Sequence, residues 1–192
     1  EVHHRVKNNL QTVSALLRLQ SRRSSEEPVK VALAEAERRV QAIATVHAAL
    51  SQNVDESVDF DEVARTIVRM AGAIASTDHG VDVVTKGRFG TISADQAQAL
   101  ATVLNELVAN SVEHGLADRD GRIEVCAQRD GLVMTVTVAD DGVGFVPGTP
   151  MSGLGTQIVH QMVRGELRGS IEWAPREWGG TLVTLVTNLD PA

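Results

Sequence analysis

The 192-residue sequence is poor in cysteine and in aromatic side chains: it contains one Cys, three Phe, two Trp and no Tyr. The single cysteine, Cys126, excludes an internal disulfide, and its place in an alternating apolar run predicts a small buried side chain. Long apolar runs are missing too, and none approaches the roughly 18 residues that a membrane-spanning helix needs. We therefore expect a soluble, cytoplasmic chain that makes no membrane contact.

Positive charge is also in short supply: 18 Lys and Arg stand against 25 Asp and Glu, which gives a formal net charge of −7. Nucleic acids and anionic membranes select proteins with clustered positive charge, so the composition argues against either as a direct partner. An anionic ligand would instead be held by backbone N–H groups, a helix N-terminus or a metal ion. No group of Cys, His and carboxylate residues has the spacing of a structural metal site.

The first part of the sequence has two helical patterns. Apolar residues recur at spacings of three and four from Val2 to about Arg23, which predicts one helix, and a second pattern follows Pro28. The two apolar stripes are Val2, Val6, Leu10, Val13 and Leu17, and then Leu33, Ala36, Val40, Ile43 and Leu50. Two helices with one stripe each form a poor core alone. We therefore expect this hairpin to pair with a second copy into a homodimeric four-helix bundle.

The pattern changes at a polar connection around residues 52–57, and we place the domain boundary there, with a hairpin domain at 1–54 and a second domain at 55–192. Asp130-Gly131 between two alternating apolar runs predicts a β-hairpin. The predicted helices of the second domain are Phe60–Ala75, Ser93–His114 and Thr156–Arg164, and its predicted strands are Val81–Thr85, Arg122–Arg129, Leu132–Ala139, Ser170–Ala174 and Thr181–Thr187. Their order predicts an α+β sandwich in which helices cover one face of a mainly antiparallel sheet.

The long predicted helix contains the motif Asn105-Glu106-Leu107-Val108-Ala109-Asn110-Ser111. Glu106 and Asn110 are four residues apart and therefore share a face of the helix. The amide oxygen of Asn110 is a neutral ligand that Mg²⁺ accepts beside phosphate oxygens, and Glu106 can order a metal-bound water or act as a base. Taken alone, the pattern is equally typical of polar residues that face solvent.

A second motif, Asp140-Asp141-Gly142-Val143-Gly144-Phe145, comes directly after a predicted strand. An acid at a strand end is aimed into a cleft, and the two glycines let a ligand approach the backbone closely. A simple Asp-Gly turn is the alternative interpretation.

A third motif, Ser152-Gly153-Leu154-Gly155-Thr156, opens a predicted helix. N–H groups at a helix N-terminus are free to bind phosphate, and the helix dipole favours negative charge there. A single Gly-x-Gly is a weak signal. The order and spacing of all three motifs, with Gly180-Thr181 entering the last strand, are much harder to obtain by chance.

Together the motifs resemble the N box, the two glycine boxes and the terminal Gly-Thr of the ATP-binding fold shared by gyrase, the Hsp90 chaperones, histidine kinases and MutL, over about Ser57 to Leu189. The resemblance implies that Asp140 hydrogen-bonds the adenine amino group with support from Thr181, and that Asn110 holds Mg²⁺. It further implies a base pocket lined by Gly142 and Gly144, a phosphate lid that includes Gly153, Leu154 and Gly155, and a phosphate or ring contact from His114. The only metal we expect is the Mg²⁺ that arrives with ATP.

The opening sequence, Glu1-Val2-His3-His4-Arg5-Val6-Lys7-Asn8-Asn9-Leu10-Gln11, resembles the phosphoacceptor H box of a bacterial subfamily of sensor histidine kinases, in which His-Arg-x-x-Asn replaces the commoner His-Glu opening. The resemblance implies that His4 is the phosphoacceptor, because the family's acceptor precedes the arginine. Arg5 stands where many histidine kinases carry an acid. The base therefore stays open between Glu106, at the position of the catalytic glutamate of the gyrase and Hsp90 branches, and Glu1.

Helical geometry separates His4 from His3 without the resemblance. At about 100° per residue, His4 falls nearly opposite the apolar stripe, whereas His3 lies near the edge of the stripe. Asn8 lies one turn from His4 on the same outward face, within reach of an imidazole or of a phosphoryl group on it. We therefore predict His4, Asn8 and Glu106 as the catalytic residues.

These resemblances imply an ATP-dependent protein histidine kinase of a two-component system. It would act as a homodimer, autophosphorylate His4 from Mg-ATP, and pass the phosphoryl group to an aspartate of a response regulator. Two alternatives share the ATP fold. One is a serine kinase of the anti-sigma type, whose product is acid-stable, and the other is an ATP-sensing dimer module without transfer activity.

Overall fold

The computed structural model describes residues 2–30, 32–34, 36–37, 40, 44, 57–75, 80–117, 119–145 and 153–190. The chain divides into two compact units, 1–54 and 55–192. None of the helices described is both long enough and apolar enough to cross a membrane.

The first unit is a helical hairpin in its described residues. Helix α1 runs over Val2–Arg23, and the described positions from 27 to 44 are all helical. Ser24 makes the turn between them: its N–H donates to the carbonyl of Gln20 at 3.0 Å, and its Oγ accepts from the N–H of Glu26 at 3.2 Å. The carbonyl of Glu26 then accepts from the N–H of Lys30 at 3.1 Å, which starts the second helix. Serine favours such turns because its hydroxyl replaces missing backbone partners.

Side chains join the two helices along one seam. The Nε of Arg18 donates to Oε1 of Glu37 at 2.8 Å, and Oγ of Ser21 donates to the carbonyl of Lys30 at 3.4 Å. The hydrogen bond and the charge of Glu37 raise the pKa of the Arg18 guanidinium above its ordinary value. A base whose pKa is raised by folding contributes stability that is fully present below its unfolded pKa, so the contribution of Arg18 is present at neutral pH. On the second helix the described apolar positions of the predicted stripe, Leu33, Ala36 and Val40, are half-buried.

Not all apolar residues of α1 face that seam. Leu10 and Leu17 are half-buried, but Val13 is 42% exposed and Leu16 55% exposed. The stripe predicted on α1 is therefore only partly covered within one hairpin: Val13, which belongs to it, and the neighbouring Leu16 stay exposed. The hairpin thus leaves apolar surface uncovered.

The second unit is an α+β sandwich, which confirms the predicted fold class. Its elements are β1 (Ser57–Asp59), α2 (Phe60–Ala75), β2 (Val81–Gly87), β3 (Thr91–Ser93), α3 (Ala94–Asn110), β4 (Gly121–Asp130), β5 (Val133–Asp140), α4 (Leu154–Gly165), β6 (Ser170–Pro175) and β7 (Thr181–Asn188). Five strands form one sheet in the order β2-β4-β5-β7-β6, and β1 pairs with β3 in a separate ribbon. Only β2 and β4 are parallel; the other neighbours in the five-stranded sheet are antiparallel.

The β1–β3 ribbon was missed by the sequence patterns. Its strands have three residues each, too few to show a period of two, yet Val58 and Ile92 are buried. Both oxygens of the Asp61 carboxylate fix the loop before β3, since they accept from the N–H groups of Phe89 at 2.8 Å and Gly90 at 3.3 Å.

The core lies against one face of the five-stranded sheet. The register aligns its buried residues in rows, such as Val125 opposite Val138 and Val138 opposite Val183. Cys126 is the exception to our prediction: it is half-buried rather than core, because strand alternation turns it to the other face. The same alternation turns Asp140, the last residue of β5, to the core side, two positions beyond Val138.

Candidate functional site

The Asp140 carboxylate is the centre of the site. Asp140 is 2% exposed, and its Oδ1 accepts from the N–H of Gly142 at 3.0 Å and from the N–H of Thr181 at 3.1 Å. Its Oδ2 accepts from Oγ of Ser111 at 3.2 Å. Thr181 reaches it because β7 pairs with β5 and starts beside the end of that strand. A carboxylate buried in this way is fixed in direction by its donors.

A π-helical turn brings Ser111 to the carboxylate. The predicted helix Ser93–His114 is α-helical only over Ala94–Asn110, with Ser93 as its N-cap; Ser111–Gly115 form a π turn, in which the carbonyl of Ser111 accepts from the N–H of Leu116 at 2.9 Å. The predicted helix is therefore present, but its last turn is a π turn that the sequence pattern did not indicate. A π turn has one more residue than an α turn, and such turns are frequent at functional sites.

Glycines allow three backbone segments to meet around Asp140. A Cβ atom at Gly142 would lie 2.2 Å from the carbonyl oxygen of Gly115, and one at Gly115 would lie 3.1 Å from Cγ of Asp140. Gly180 has a φ of +91°, and a Cβ there would lie 2.0 Å from the carbonyl oxygen of Asp140. Gly144 has a φ of +69° and packs against Gly180 in turn. Larger residues would force these segments apart.

Three residues at Asp140 were missing from the predicted site: Ser111, Gly115 and Arg176. Nη1 of Arg176, in the turn between β6 and β7, donates to the carbonyl of Asp140 at 2.7 Å. Ser111 stands in the first motif beside Asn110, so its position carried a usable signal. Gly115 and Arg176 stand in no motif, and only the folded chain brings them to the site.

The N-terminus of α4 supplies the predicted glycine segment. Gly153 is extended, with φ −119° and ψ 156°, and makes no side-chain cap hydrogen bond; its carbonyl accepts from the N–H of Gln157 at 3.2 Å. Helix geometry leaves the first N–H groups of α4, which include those of Leu154 and Gly155, without acceptors inside the helix. Gly155 is buried. The side chain of Leu154 and residues 146–152, which precede this segment, lie outside the described part of the chain.

The remaining predicted residues lie on α3, the π turn and α1. Glu106 is 4% exposed, Asn110 is half-buried one turn later, and His114 is exposed. The three donors named above for the Asp140 carboxylate come from other residues. His4 and Asn8 lie in α1, in the other unit, and their side chains fall outside the described residues.

The residues around Asp140 have the chemistry of a nucleotide site. Within the described ranges, no group of three or more His, Cys, Asp and Glu residues could hold a metal ion. A hydrogen-bonded buried acid, a cradle that only glycine can form and a helix N-terminus are instead complementary to an amino-bearing base and to phosphate. An ion that arrives with phosphate needs few protein ligands, and the Asn110 amide oxygen is of the accepted type.

Comparison with known proteins agrees with this geometry. Residues 1–74 match the family described as "Histidine kinase", and residues 95–191 match the family described as "Histidine kinase-, DNA gyrase B-, and HSP90-like ATPase". The chain is 44% identical over 190 residues to the sensor histidine kinase PdtaS of Mycobacterium tuberculosis, an alignment that covers 96% of this chain and 38% of that protein. It is 30% identical to a blue-light-activated histidine kinase of Rhizobium johnstonii, with 90% of this chain and 48% of that protein aligned.

A solved structure shares the fold. The histidine kinase domain of a blue-light-activated histidine kinase from Erythrobacter litoralis superposes with a TM-score of 0.65 at 19% identity, over 97% of this chain and 94% of that domain. The fold and the Asp140 site therefore define an ATPase domain of the type found in histidine kinases, gyrase and Hsp90. The chain belongs to the family of histidine kinase-, DNA gyrase B- and HSP90-like ATPases, and its first 74 residues match the histidine kinase family. It spans 38% of the length of the mycobacterial relative.

Proposed function

We propose that this chain binds Mg-ATP at the Asp140 site, transfers the γ-phosphoryl group to its own His4, and passes it to an aspartate of a response regulator. The observation that carries the proposal is the buried Asp140 carboxylate, held by three donors inside a cradle of glycines. A cytoplasmic location belongs to the same proposal, since ATP and response regulators are found there.

The carboxylate is suited to a base with an exocyclic amino group. An ionised carboxylate accepts hydrogen bonds and donates none, so adenine, with its amino group, satisfies it, and a base with a carbonyl at the same position does not. Gly142 and Gly144 leave room for a flat ring next to the backbone. We assign base recognition to Asp140 and Thr181 on these grounds.

The phosphates are assigned to the start of α4. Its first N–H groups and the positive end of its dipole favour an anion, and Gly153, Leu154 and Gly155 are the residues there. Asn110 is the proposed Mg²⁺ ligand, and His114 a proposed contact to the ring or to phosphate. Bound Mg²⁺ neutralises charge on the phosphate oxygens.

His4 is the proposed acceptor. A neutral imidazole nitrogen is a competent nucleophile near pH 7, and phosphoryl transfer through a loose transition state needs mainly positioning and charge neutralisation. Ala15 and Arg18, which continue the helix line of His4, are exposed. Exposed neighbours along that line support an acceptor that another domain can approach. Asn8, one turn away, is the proposed partner of the imidazole or of the phosphoryl group.

Glu106 is the proposed base, with Glu1 as the alternative. Glu106 lies one turn before Asn110 on the same face of α3, and it is 4% exposed. A general base must lie within reach of the proton that it accepts, and this position is beside the proposed Mg²⁺ ligand.

A homodimer is the proposed working form. Val13 and Leu16 on α1, and Val29 on the second helix, are between 40% and 55% exposed. A second copy that buries these side chains would complete a four-helix bundle of the kind expected from the sequence. The relatives described as sensor histidine kinases support a response regulator as the downstream partner.

Labelling with γ-labelled ATP tests the proposal. Wild type should acquire a label that is lost in acid and kept in base, and His4→Gln should lose it while nucleotide binding, measured by calorimetry, is retained. His3→Gln is the matched control and should still be labelled. An acid-stable label would instead favour a serine kinase, and nucleotide binding without any label would favour an ATP-sensing module.

A further inference from the structure

The Ser111 hydroxyl is a buried polar group to which the proposed reaction gives no task. Ser111 is 6% exposed, and its Oγ lies 3.2 Å from Oδ2 of Asp140. A hydroxyl has one proton to donate and a carboxylate can only accept, so the proton of Ser111 points at Asp140. Ser111 is therefore the donor of this hydrogen bond, and the Asp140 carboxylate is its acceptor.

The donors of Asp140 leave one acceptor position for a ligand. Oδ1 receives two backbone N–H groups, from Gly142 and Thr181, and Oδ2 receives the Ser111 hydroxyl. A carboxylate has about four acceptor positions in all. With three of them occupied by the protein, the carboxylate cannot rotate freely, and the remaining position on Oδ2 has a fixed direction.

The π turn is what brings the hydroxyl to this place. The N–H of Ser111 donates back to the carbonyls of both Leu107 and Val108, at the point where the α-helix widens into the π turn. The turn also brings Gly115 against Asp140, where a Cβ would lie 3.1 Å from Cγ. Both ends of the turn thus contact the same carboxylate.

We propose that Ser111 is a positioning residue for base recognition: by holding Oδ2 of Asp140 it aims the last free acceptor position at the exocyclic amino group of adenine. The inference rests on the proposed function, because it presupposes that adenine binds at Asp140. Ser111 would thus join the proposed nucleotide site as a residue that contacts the Asp140 carboxylate but not the reacting atoms. This role predicts an effect on the affinity for amino-bearing bases alone.

Two nucleotides separate positioning from general damage. ADP carries the amino group, and purine riboside 5′-diphosphate is the same ligand without it. Calorimetry on the whole chain should show that Ser111→Ala lowers ADP affinity by about tenfold, the worth of one net hydrogen bond, and leaves the affinity for the amino-free analogue unchanged. Ser111→Thr, which keeps the hydroxyl, should restore ADP affinity.

Thr102→Ala is the matched control and should change neither affinity. It removes a hydroxyl from α3, the helix that leads into the π turn, and that hydroxyl donates to the carbonyl of Gln98 and not to Asp140. Ser111→Cys, a close match in size with a weaker donor, covers the case in which the alanine variant does not fold, and should give an intermediate loss for ADP only. Equal losses for both nucleotides, or no loss for either, would overturn the role of Ser111. A wild type that binds both nucleotides equally would overturn the adenine contact of Asp140 itself, and the inference with it.

Discussion

The two units differ in how much of their apolar surface they bury by themselves. The second unit buries whole rows of strand residues, among them Val125, Val138 and Val183, at 5% exposure or less. The first unit leaves Val13 and Leu16 about half exposed. A unit with its own core can hold a binding site rigidly. A hairpin that leaves apolar surface uncovered is suited to association with a second copy. The proposed nucleotide site and the proposed phosphoacceptor therefore lie on units of different architecture.

Of the substitutions considered, one at Gly180 should destabilise the second unit most. A Cβ at this position, with φ +91°, would lie 2.0 Å from the carbonyl oxygen of Asp140. We expect Gly180→Ala to lower the free energy of unfolding of the second unit by about 3 kcal/mol or more, through steric overlap added to backbone strain. Differential scanning calorimetry of the whole chain would measure the loss.

The control for that change is Gly131→Ala. Gly131 has a φ of +59° but nothing lies within 4 Å of the added Cβ, so only backbone strain of about 1 kcal/mol is expected. Equal destabilisation by the two variants would show that close packing around Asp140 does not matter to the second unit.

Asp140→Asn should separate binding from folding within the second unit. The asparagine NH₂ group would lie either at the Oδ1 position, against the N–H donors of Gly142 and Thr181, or at the Oδ2 position, against Ser111 and the amino group of the base. Either orientation sets donor against donor and loses hydrogen bonds that the carboxylate makes. We expect nucleotide affinity to fall by about 100-fold, as for the loss of a charge-assisted hydrogen bond, in a calorimetric titration with ADP.

Asp141→Asn is the neighbouring control. The Asp141 side chain is exposed, and its Oδ1 accepts from the N–H of Arg122 at 2.7 Å, a bond that an asparagine oxygen also makes. The affinity of the Asp141→Asn variant for ADP should stay close to that of wild type. If Asp141→Asn weakened binding as much as Asp140→Asn, the assignment of the base contact to Asp140 would be lost.

Leu16→Glu should affect only the first unit, and by the smallest amount. Leu16 is 55% exposed in one hairpin, and a charge at a surface covered by a second copy must be desolvated. We expect the dimer to dissociate about tenfold more readily in analytical ultracentrifugation, with ADP affinity unchanged. Leu132→Glu, a leucine 47% exposed on the second unit, should leave the dimer intact. Dissociation by both variants, or by neither, would contradict a dimer formed through this face of α1.

Regular elements were predictable because their patterns are long. The period of α2 predicted its bounds, Phe60–Ala75, and the Asp130-Gly131 turn predicted the β4–β5 hairpin. A three-residue strand such as β1 has no measurable period. The π turn at Ser111–Gly115 was also missed, because it ends the helix and too few residues follow it to show a shift of the apolar stripe.

The site was predictable only where one motif carried it. Asp140 and Gly142 stand together in one motif, and Thr181 follows Gly180 at the start of the last strand. The residue types and the order of the motifs along the chain therefore predicted them. Arg176 lies 36 positions from Asp140 in a turn without a motif. The pairing of β5 with β7 beside the β6–β7 turn is what brings it to the carbonyl of Asp140, and a single sequence does not carry that pairing.

The location of the phosphoryl group tests the central claim most directly. Wild-type protein incubated with Mg-ATP, digested at alkaline pH and mapped by mass spectrometry should carry one phosphoryl group, on a histidine nitrogen of His4. Phosphate on a serine or threonine, or on His3 with His4 unmodified, would contradict the account.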